Sequence, residues 1–358
     1  MQGTEKKRVL VAMSGGVDSS VAAALLKEQG YEVAVATMQI WPDAKCDAGA
    51  RGCCSLAAVE DARYVAYRLD IPYHVFNFKD VFQKSVIGPF IAEYLRGRTP
   101  NPCVLCNRVV KFEALLERAR ALHFDCIATG HYGVVEYDGP RGRWLLKKSR
   151  AGKDQSYALY NLSQEALSRL LLPIAHMEKP DVRKKAAALG LDVADKPDSQ
   201  EICFVEDNDY AAFIEREGYS APPGNFVDPA GNILGRHKGI IHYTVGQRKG
   251  LGMTFGEPKF VTAVRADTNE VVLGSDEECF ADSLYASDLN FISIPALERG
   301  MRVGAKIRYS QREAPALLRP AGHGRARVIF DEPQRAVTPG QSVVFYDGDV
   351  VVGGGVIE

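Results

Sequence analysis

Apolar and polar positions follow two different rhythms along this chain. Through about residue 205, short continuous apolar runs alternate with longer stretches of helical period. Arg8–Met13 is rich in Val and Leu without alternation, as expected of a parallel strand buried on both faces. Ser19–Gln29 then places Val21 with Leu25, and Ala22 with Leu26, at i,i+4 spacing and meets Gly30 at its end, the pattern of a helix. The pair recurs. Strands are predicted at Tyr31–Gln39, Ile71–Phe78 and Phe124–Thr129, and helices at Leu56–Leu69, Val81–Arg96 and Asn107–Leu122. Strands separated by helices imply right-handed crossovers and a parallel sheet.

Past Cys203 the texture shifts. Asp207–Gly246 carries the turn signals Pro222-Pro223-Gly224 and Asp228-Pro229-Ala230-Gly231-Asn232. From about Leu284 short alternating runs follow, among them Val303–Tyr309, Ala326–Phe330, Ser342–Tyr346 and Val350–Val356. They predict an antiparallel barrel or sandwich. The expected fold class is α/β: an N-terminal parallel-sheet, Rossmann-like domain over residues 1–206, a small central linker domain over 207–280, and a C-terminal β-barrel domain over 281–358. No internal repeat is visible.

Composition narrows the function classes. With 44 basic and 45 acidic side chains in 358 residues the formal charge is −1, so no global field marks a nucleic-acid binder. No apolar run approaches the ~18–20 residues that span a bilayer. Val9–Met13 is shorter than the ~7–15 apolar residues of a secretion signal, so a cytoplasmic protein is expected. In that compartment the eight cysteines read as thiols, metal ligands or catalytic groups rather than a disulfide framework.

Chemistry concentrates first in Ser14-Gly15-Gly16-Val17-Asp18-Ser19-Ser20, between a strand and a helix. Two glycines let backbone approach an anion, and the N–H groups of a helix start point toward it. The serines add hydroxyl donors, and Asp18 is placed to hold Mg²⁺ or a water. No Gly-Lys-Ser/Thr follows, which excludes the Walker pattern. The bland reading is a glycine turn capping a helix. The loop resembles the PP-loop of the ATP pyrophosphatases, which split ATP into AMP and pyrophosphate while adenylating an oxygen of their substrate.

Cysteines supply the second concentration. Cys103 and Cys106 lie in Thr99-Pro100-Asn101-Pro102-Cys103-Val104-Leu105-Cys106-Asn107, just before a predicted helix. A thiol at a helix start has its pKa lowered by the positive end, and Asn107 is a plausible N-cap. Cys203 closes Ser199-Gln200-Glu201-Ile202-Cys203-Phe204. Cys126 and Cys279 read as buried small apolar residues. Cys46, Cys53 and Cys54 form a thiol-bearing loop whose metal binding stays open.

Together with Thr129-Gly130-His131-Tyr132, Lys153-Asp154-Gln155-Ser156-Tyr157, Gly235–Gly239, Tyr243–Gly252 and Arg308-Tyr309, these motifs resemble the tRNA-specific 2-thiouridylase family over essentially the whole chain. That resemblance implies ATP-dependent thiolation at C2 of the wobble uridine, position 34. ATP adenylates O2, and a cysteine persulfide delivers sulfur. Carried over by motif, Cys106 is the catalytic nucleophile and Cys203 the persulfide carrier. Ala12, Met13, Ser14, Gly15, Gly16, Val17, Asp18, Ser19, Met38 and Gly130 contact ATP with Mg²⁺. Asn101, Pro102 and Cys103 contact the target base. His131, Lys153, Asp154, Gln155, Arg308, Tyr309 and Gln341 contact tRNA, and a sulfur-donor protein is the further partner. Many relatives have Asp where this chain has Cys103. The resulting Cys-x-x-Cys raises a second expectation, a [4Fe–4S] cluster on Cys103, Cys106 and Cys203.

Three basic stripes fit an extended RNA. Arg141–Lys153 holds six Lys/Arg and no acid, Gly235–Gly250 holds four, and Arg302–Arg319 holds five against one Glu. Trp144, Tyr157, Tyr243 and Tyr309 lie in or beside the stripes as candidate stacking rings, with core packing the ordinary alternative for each. Two other readings compete. One is an ATP pyrophosphatase acting on a small metabolite, which needs neither paired cysteines nor basic stripes. The other is a noncatalytic RNA-binding or Fe–S scaffold, which has no use for an intact phosphate loop.

Overall fold

The computed structural model describes residues 6–40, 56–196, 202–205 and 209–358. The Cys46, Cys53 and Cys54 loop, and Ser199–Glu201 of the Cys203 motif, lie outside the described residues. The chain divides into two compact units, one built from 1–86, 103–204 and 349–351, the other from 87–102, 205–348 and 352–358.

The first unit is organised by a five-stranded parallel sheet. Its strands are β1 (Arg8–Ala12), β2 (Glu32–Gln39), β3 (Tyr73–Asn77), β4 (Cys126–Ala128) and β7 (Leu170–Leu171), in the order β3-β2-β1-β4-β7. The predicted runs are all strands, each trimmed by a residue or more at its ends. β1 is central, and its Val9, Leu10 and Val11 are fully buried, which explains a run without alternation. The helix Val17–Glu28 buries Val17, Val21, Ala22, Ala23, Ala24 and Leu26. All of these but Ala24 join Val9, Val11, Val33 and Val35 in one core with Val65, Ile174 and Val182. A hairpin, β5 (Val134–Asp138) and β6 (Arg143–Lys147), follows β4.

Two helices depart from expectation. The stretch predicted as Asn107–Leu122 begins earlier, at Pro102, with an α-turn Pro102–Leu105, a π-helical Cys106–Ala114 and α-helix again over Leu115–Ala121. Proline is at home in a first helical turn, where its missing N–H costs nothing, and it sets the start here. The Val81–Arg96 prediction likewise resolves into Lys79–Phe82, a π-helical Gln83–Ile87 and Gly88–Leu95.

In the second unit, β8 (Gly224–Val227), β9 (Ile233–His237), β10 (Phe260–Arg265) and β11 (Glu270–Gly274) form a sheet in the order β10-β11-β8-β9. Phe226 lies at the centre of its core, with His237, Tyr243 and Phe255 rings set edge-on around it. The last six strands are β12 (Phe280–Phe291), β13 (Met301–Lys306), β14 (Ala314–Pro320), β15 (Ala326–Arg335), β16 (Ser342–Asp347) and β17 (Val350–Ile357). They run β12-β15-β14-β13-β16-β17, and β12 also pairs with β17, closing a six-stranded antiparallel barrel. Inward residues such as Val303, Ala305, Ala316, Leu318, Val328 and Phe345 fill it, which is the alternation read from the sequence.

Among the described residues no helix is long and apolar enough to cross a membrane.

Candidate active site

The sheet order places a topological switch between β1 and β4, where a parallel sheet opens a crevice at its carboxyl edge. Two loops leave that edge side by side. Ser14–Gly16 follows β1 into the helix Val17–Glu28, and Thr129–Tyr132 follows β4. The two loops fit tightly. A Cβ on Gly130 would stand 2.5 Å from the Ser19 nitrogen and 2.6 Å from the Asp18 carbonyl carbon, so only glycine lets them meet. Gly15 has φ +70°, and a Cβ there would lie 2.4 Å from the Ala58 carbonyl oxygen. Gly16 is different: a Cβ there would meet the Ser14 hydroxyl at an ordinary 3.5 Å. Gly15 and Gly130 are therefore required by the fold itself, whereas Gly16 leaves an open face on the loop.

Gly16 caps the helix without a side-chain hydrogen bond, and its carbonyl accepts from the hydroxyls of Ser19 at 3.1 Å and Ser20 at 2.9 Å. The Ser14 N–H donates to Ser19 Oγ at 3.4 Å. Asp18, in the first helical turn, is the hub. Its Oδ1 accepts from the Tyr132 hydroxyl at 2.9 Å and from Lys179 Nζ at 2.7 Å, and its Oδ2 from Lys153 Nζ at 3.4 Å. One carboxylate between two ammoniums leaves a local surplus of positive charge beside a helix N-terminus. That is the electrostatics of an anion site. Phosphates would meet complementary charge here, and Mg²⁺ arriving with them would find Asp18 as a carboxylate ligand.

Lys179 was invisible to sequence reasoning. It opens the helix Lys179–Ala188, 161 residues from Asp18, and belongs to none of the sequence motifs. Among the expected ATP contacts, Ala12 and Met38 are buried strand residues and Met13 is buried just beyond the end of β1. The Met13 N–H donates to the Ala36 carbonyl, and the Met13 carbonyl accepts from the Thr37 hydroxyl.

The residues carried over as tRNA contacts are engaged inside their own units. Lys153 serves Asp18 and lies 4.8 Å from the centre of the Tyr132 ring. Asp154 accepts from the Ser149 and Ser156 N–H groups and the Ser156 hydroxyl, closing a turn. Gln155 Oε1 accepts from the Tyr132 N–H at 3.0 Å. His131 is half-buried, with Nδ1 2.8 Å from the Thr129 hydroxyl and its ring 5.9 Å from Phe112. Burial holds its pKa well below the usual histidine value, and the charges of Lys111 and Lys153 push the same way. In the other unit, Arg308 Nη2 donates to the Val245 and Ala336 carbonyls and to the Thr338 hydroxyl at 2.6 Å. Gln341 Nε2 donates to the carbonyls of Thr99 at 2.8 Å and Pro100 at 3.2 Å. It thus steadies the approach to half-buried Asn101 and buried Pro102. Tyr309 is 47% exposed, while Tyr157 and Tyr243 are buried in cores and present no stacking face. Trp144 packs against Tyr137 at 5.4 Å.

Cys106 and Cys203 are half-buried and Cys103 is exposed. Because the helix starts at Pro102, Cys106 sits one turn inside it rather than at its first residue. Asn107 does not cap it: its Nδ2 donates to the Ala158 carbonyl at 2.9 Å. Phe204, next to Cys203, packs edge-on against Phe82 at 5.7 Å. Among the described residues no three His, Cys, Asp or Glu side chains gather as a metal site. The grouping of Cys103, Cys106 and Cys203 that would carry a [4Fe–4S] cluster is therefore not formed: Cys103 faces solvent, and the three thiols do not converge. Cys126 is half-buried and Cys279 buried, and burial raises the pKa of both thiols, as suits unreactive packing groups.

A parallel sheet with a glycine loop at its switch point, followed by a small β-domain and a closed barrel, defines the class. The chain matches the profile of the tRNA methyl transferase HUP domain over residues 7–207. It matches that of the tRNA methyl transferase PRC-barrel domain over 211–275 and the aminomethyltransferase beta-barrel domain over 281–357. It is 62% identical to tRNA-specific 2-thiouridylase MnmA of Acetivibrio thermocellus over 99% of both chains, and 55% identical to that of Clostridioides difficile over 98% of both. The chain belongs to the tRNA-specific 2-thiouridylase family. Among solved structures, a 4-thiouridine synthetase–RNA complex with bound ATP aligns at 16% identity with a TM-score of 0.35, covering 55% of this chain and 45% of that one.

Proposed function

We propose that this protein is an ATP-dependent tRNA sulfurtransferase that converts the wobble uridine, position 34, to 2-thiouridine. One observation carries the reading: near-complete alignment, at 62% identity, with a relative named for that activity. The anion-ready loop around Asp18 supports it. In the scheme, the uracil O2 attacks the α-phosphorus of ATP and expels pyrophosphate. Ser14–Ser20, Lys153 and Lys179 offset the charge on the phosphates, and Mg²⁺ supplies further charge neutralisation when bound.

Sulfur enters in the second half. The terminal sulfur of a Cys203 persulfide attacks C2 and AMP leaves, giving a disulfide between the base and Cys203. The Cys106 thiolate then attacks Cys203 Sγ. The base departs as 2-thiouridine, and a Cys106–Cys203 disulfide forms. An external dithiol reduces it, and a sulfur-donor protein reloads Cys203. Asn101, Pro102 and Cys103 hold the target base in this scheme, while His131, Lys153–Gln155, Arg308, Tyr309 and Gln341 act toward tRNA, the engaged ones by shaping the surface.

Incubation with tRNA, ATP, Mg²⁺, a reductant and a persulfide source, followed by nucleoside mass spectrometry, tests this. The expected product is 2-thiouridine at position 34 with one AMP per thiolation. AMP release dependent on a small metabolite instead of tRNA would overturn it.

A further inference from the structure

Outside the catalytic unit, the barrel carries a row of charge that its own fold does not explain. Arg319 on β14 is registered directly opposite Arg327 on β15, and Arg327 is registered opposite Tyr285 on β12. All three side chains are exposed on the outer face of the barrel. Like charges placed directly across an antiparallel pair destabilise it, and a sheet with no other demand on those positions would alternate the signs. Arg325, at the end of the turn between β14 and β15, adds a third guanidinium. Arg325 and Arg327 each stand 5.7 Å from the centre of the Tyr285 ring.

The row borders a hollow of about 500 Å³, lined by these four side chains with Pro320 and Ile329. Among the described residues one carboxylate reaches it: Glu358 pairs with Arg325 at 3.4 Å. Arg325 also has a buried Nε without a hydrogen-bond partner. Arg327 donates to the Ser283 hydroxyl at 3.4 Å. Three guanidiniums against one carboxylate leave a local excess of two positive charges on a solvent-facing concave surface.

We propose that Tyr285, Arg319, Arg325 and Arg327 form a phosphate-binding site that grips the tRNA backbone away from the reacting base. The inference rests on the tRNA reading above and adds a surface to it. Arginine forks match phosphate oxygens two at a time, and an aromatic ring beneath a guanidinium fixes its plane without neutralising it. Phosphate contacts position a nucleic acid and carry no sequence information, so the site contributes affinity rather than choice of base. Tyr285 is a positioning residue in this account.

The test compares the full-length protein with Arg319→Ala/Arg327→Ala, measuring tRNA binding by fluorescence anisotropy across a salt series. The double variant is expected to bind about tenfold more weakly, with the slope of log K against log salt reduced by about one to two. Under turnover, KM for tRNA should rise and kcat stay within about twofold. Relief of the Arg–Arg opposition should leave the thermal midpoint unchanged or raised, which separates lost binding from lost folding. Tyr285→Phe should behave as wild type, and Tyr285→Ala should fall between. A double variant with wild-type affinity and salt slope, measured where the wild type binds and thiolates tRNA, overturns the site alone. A wild type that neither binds nor thiolates tRNA overturns the proposed function instead.

Discussion

The loop around Asp18 and the segment bearing Cys103 and Cys106 belong to the same compact unit, yet they are built on opposite terms. The loop is over-determined. Gly15 and Gly130 each face backbone too closely for any side chain, and Asp18 is held by a tyrosine and two lysines. The cysteine segment is less regular, although Val110, Phe112 and Leu115 anchor it in the core. Its backbone passes from α to π and back within twenty residues, one thiol is exposed, and the other is half-buried. π-helical turns inside α-helices occur frequently at functional sites. A phosphate is bound by fixed dipoles that need no rearrangement during reaction. A sulfur relay is served by thiols that can approach two partners in turn.

The sharpest way to break this contrast is to remove the thiols. Cys106→Ala and Cys203→Ala should each abolish 2-thiouridine while tRNA binding stays within a few-fold, because phosphate contacts supply most of the affinity. AMP formation should continue in both, since neither thiol attacks ATP. Thiolation by either variant under turnover, read by mass spectrometry, contradicts the relay.

The loop should respond in the opposite sense, losing adenylation first. Asp18→Asn should lower AMP formation by about 10²–10³-fold, the usual range for one preorganised electrostatic group. The two glycines then separate fold from ligand. Gly15→Ala places a Cβ against the Ala58 carbonyl at positive φ and should cost about 1–3 kcal/mol or more in stability. Gly16→Val has room in the protein and should fold with a near-native thermal midpoint, yet lose AMP formation. Wild-type AMP formation by Gly16→Val would remove the loop from the chemistry.

A smaller effect is expected at Lys179. Lys179→Met deletes the shorter of the two ion pairs to Asp18 and should reduce AMP formation about tenfold, with partial recovery in Lys179→Arg. Both groups are about one-fifth exposed, so the stability loss should be modest, about 1–2 kcal/mol by chemical denaturation. If AMP formation is untouched, Lys179 is a structural strut alone.

Lys179 also marks where the sequence stops being readable. Local patterns were legible because their causes are local. A Val-rich run without alternation means a strand buried on both faces, and β1 is one. Alternation from Val303 onward means a surface with one wet face, and the barrel has it. The glycine loop announced itself because strand, glycines, acid and helix are contiguous. The partner of Asp18 did not, since no spacing rule joins position 18 to position 179. The helix start at Pro102 was missed because Asn107 looked like a cap, and only the fold shows its amide spent on the Ala158 carbonyl. The iron–sulfur expectation failed for a related reason: spacing brings two cysteines onto one turn but cannot bring the third, and Cys103 turned out to face solvent. Basic stripes overstated free charge in the same way. Arg141 pairs with Asp138, Lys147 with Glu136, and Arg302 with Asp331.

The least perturbing test sits at the seam between the two regions, at His131. It adjoins Gly130, which backs the rigid loop, and its ring contacts Phe112 of the π-helical segment. Burial, Lys111 and Lys153 all disfavour its charged form, so the folded-state pKa lies well below the unfolded value near 6.5. Above that unfolded value neither state binds the proton, and the group leaves stability unaffected by pH. As pH falls below about 6.5 the unfolded chain takes up a proton that the native protein refuses. Unfolding then becomes easier, by at most about 1.4 kcal/mol per pH unit from this group. His237 and His242 are also lowered by burial and titrate in the same direction, so the wild-type curve alone cannot isolate one ring. The difference can. His131→Gln removes only the seam's contribution, and chemical denaturation at pH 7.5 and 5.5 should show the variant losing less stability on acidification than the wild type. Equal losses would mean that His131 takes up its proton in the folded protein without penalty, so that burial and the two lysines do not disfavour the charged ring there.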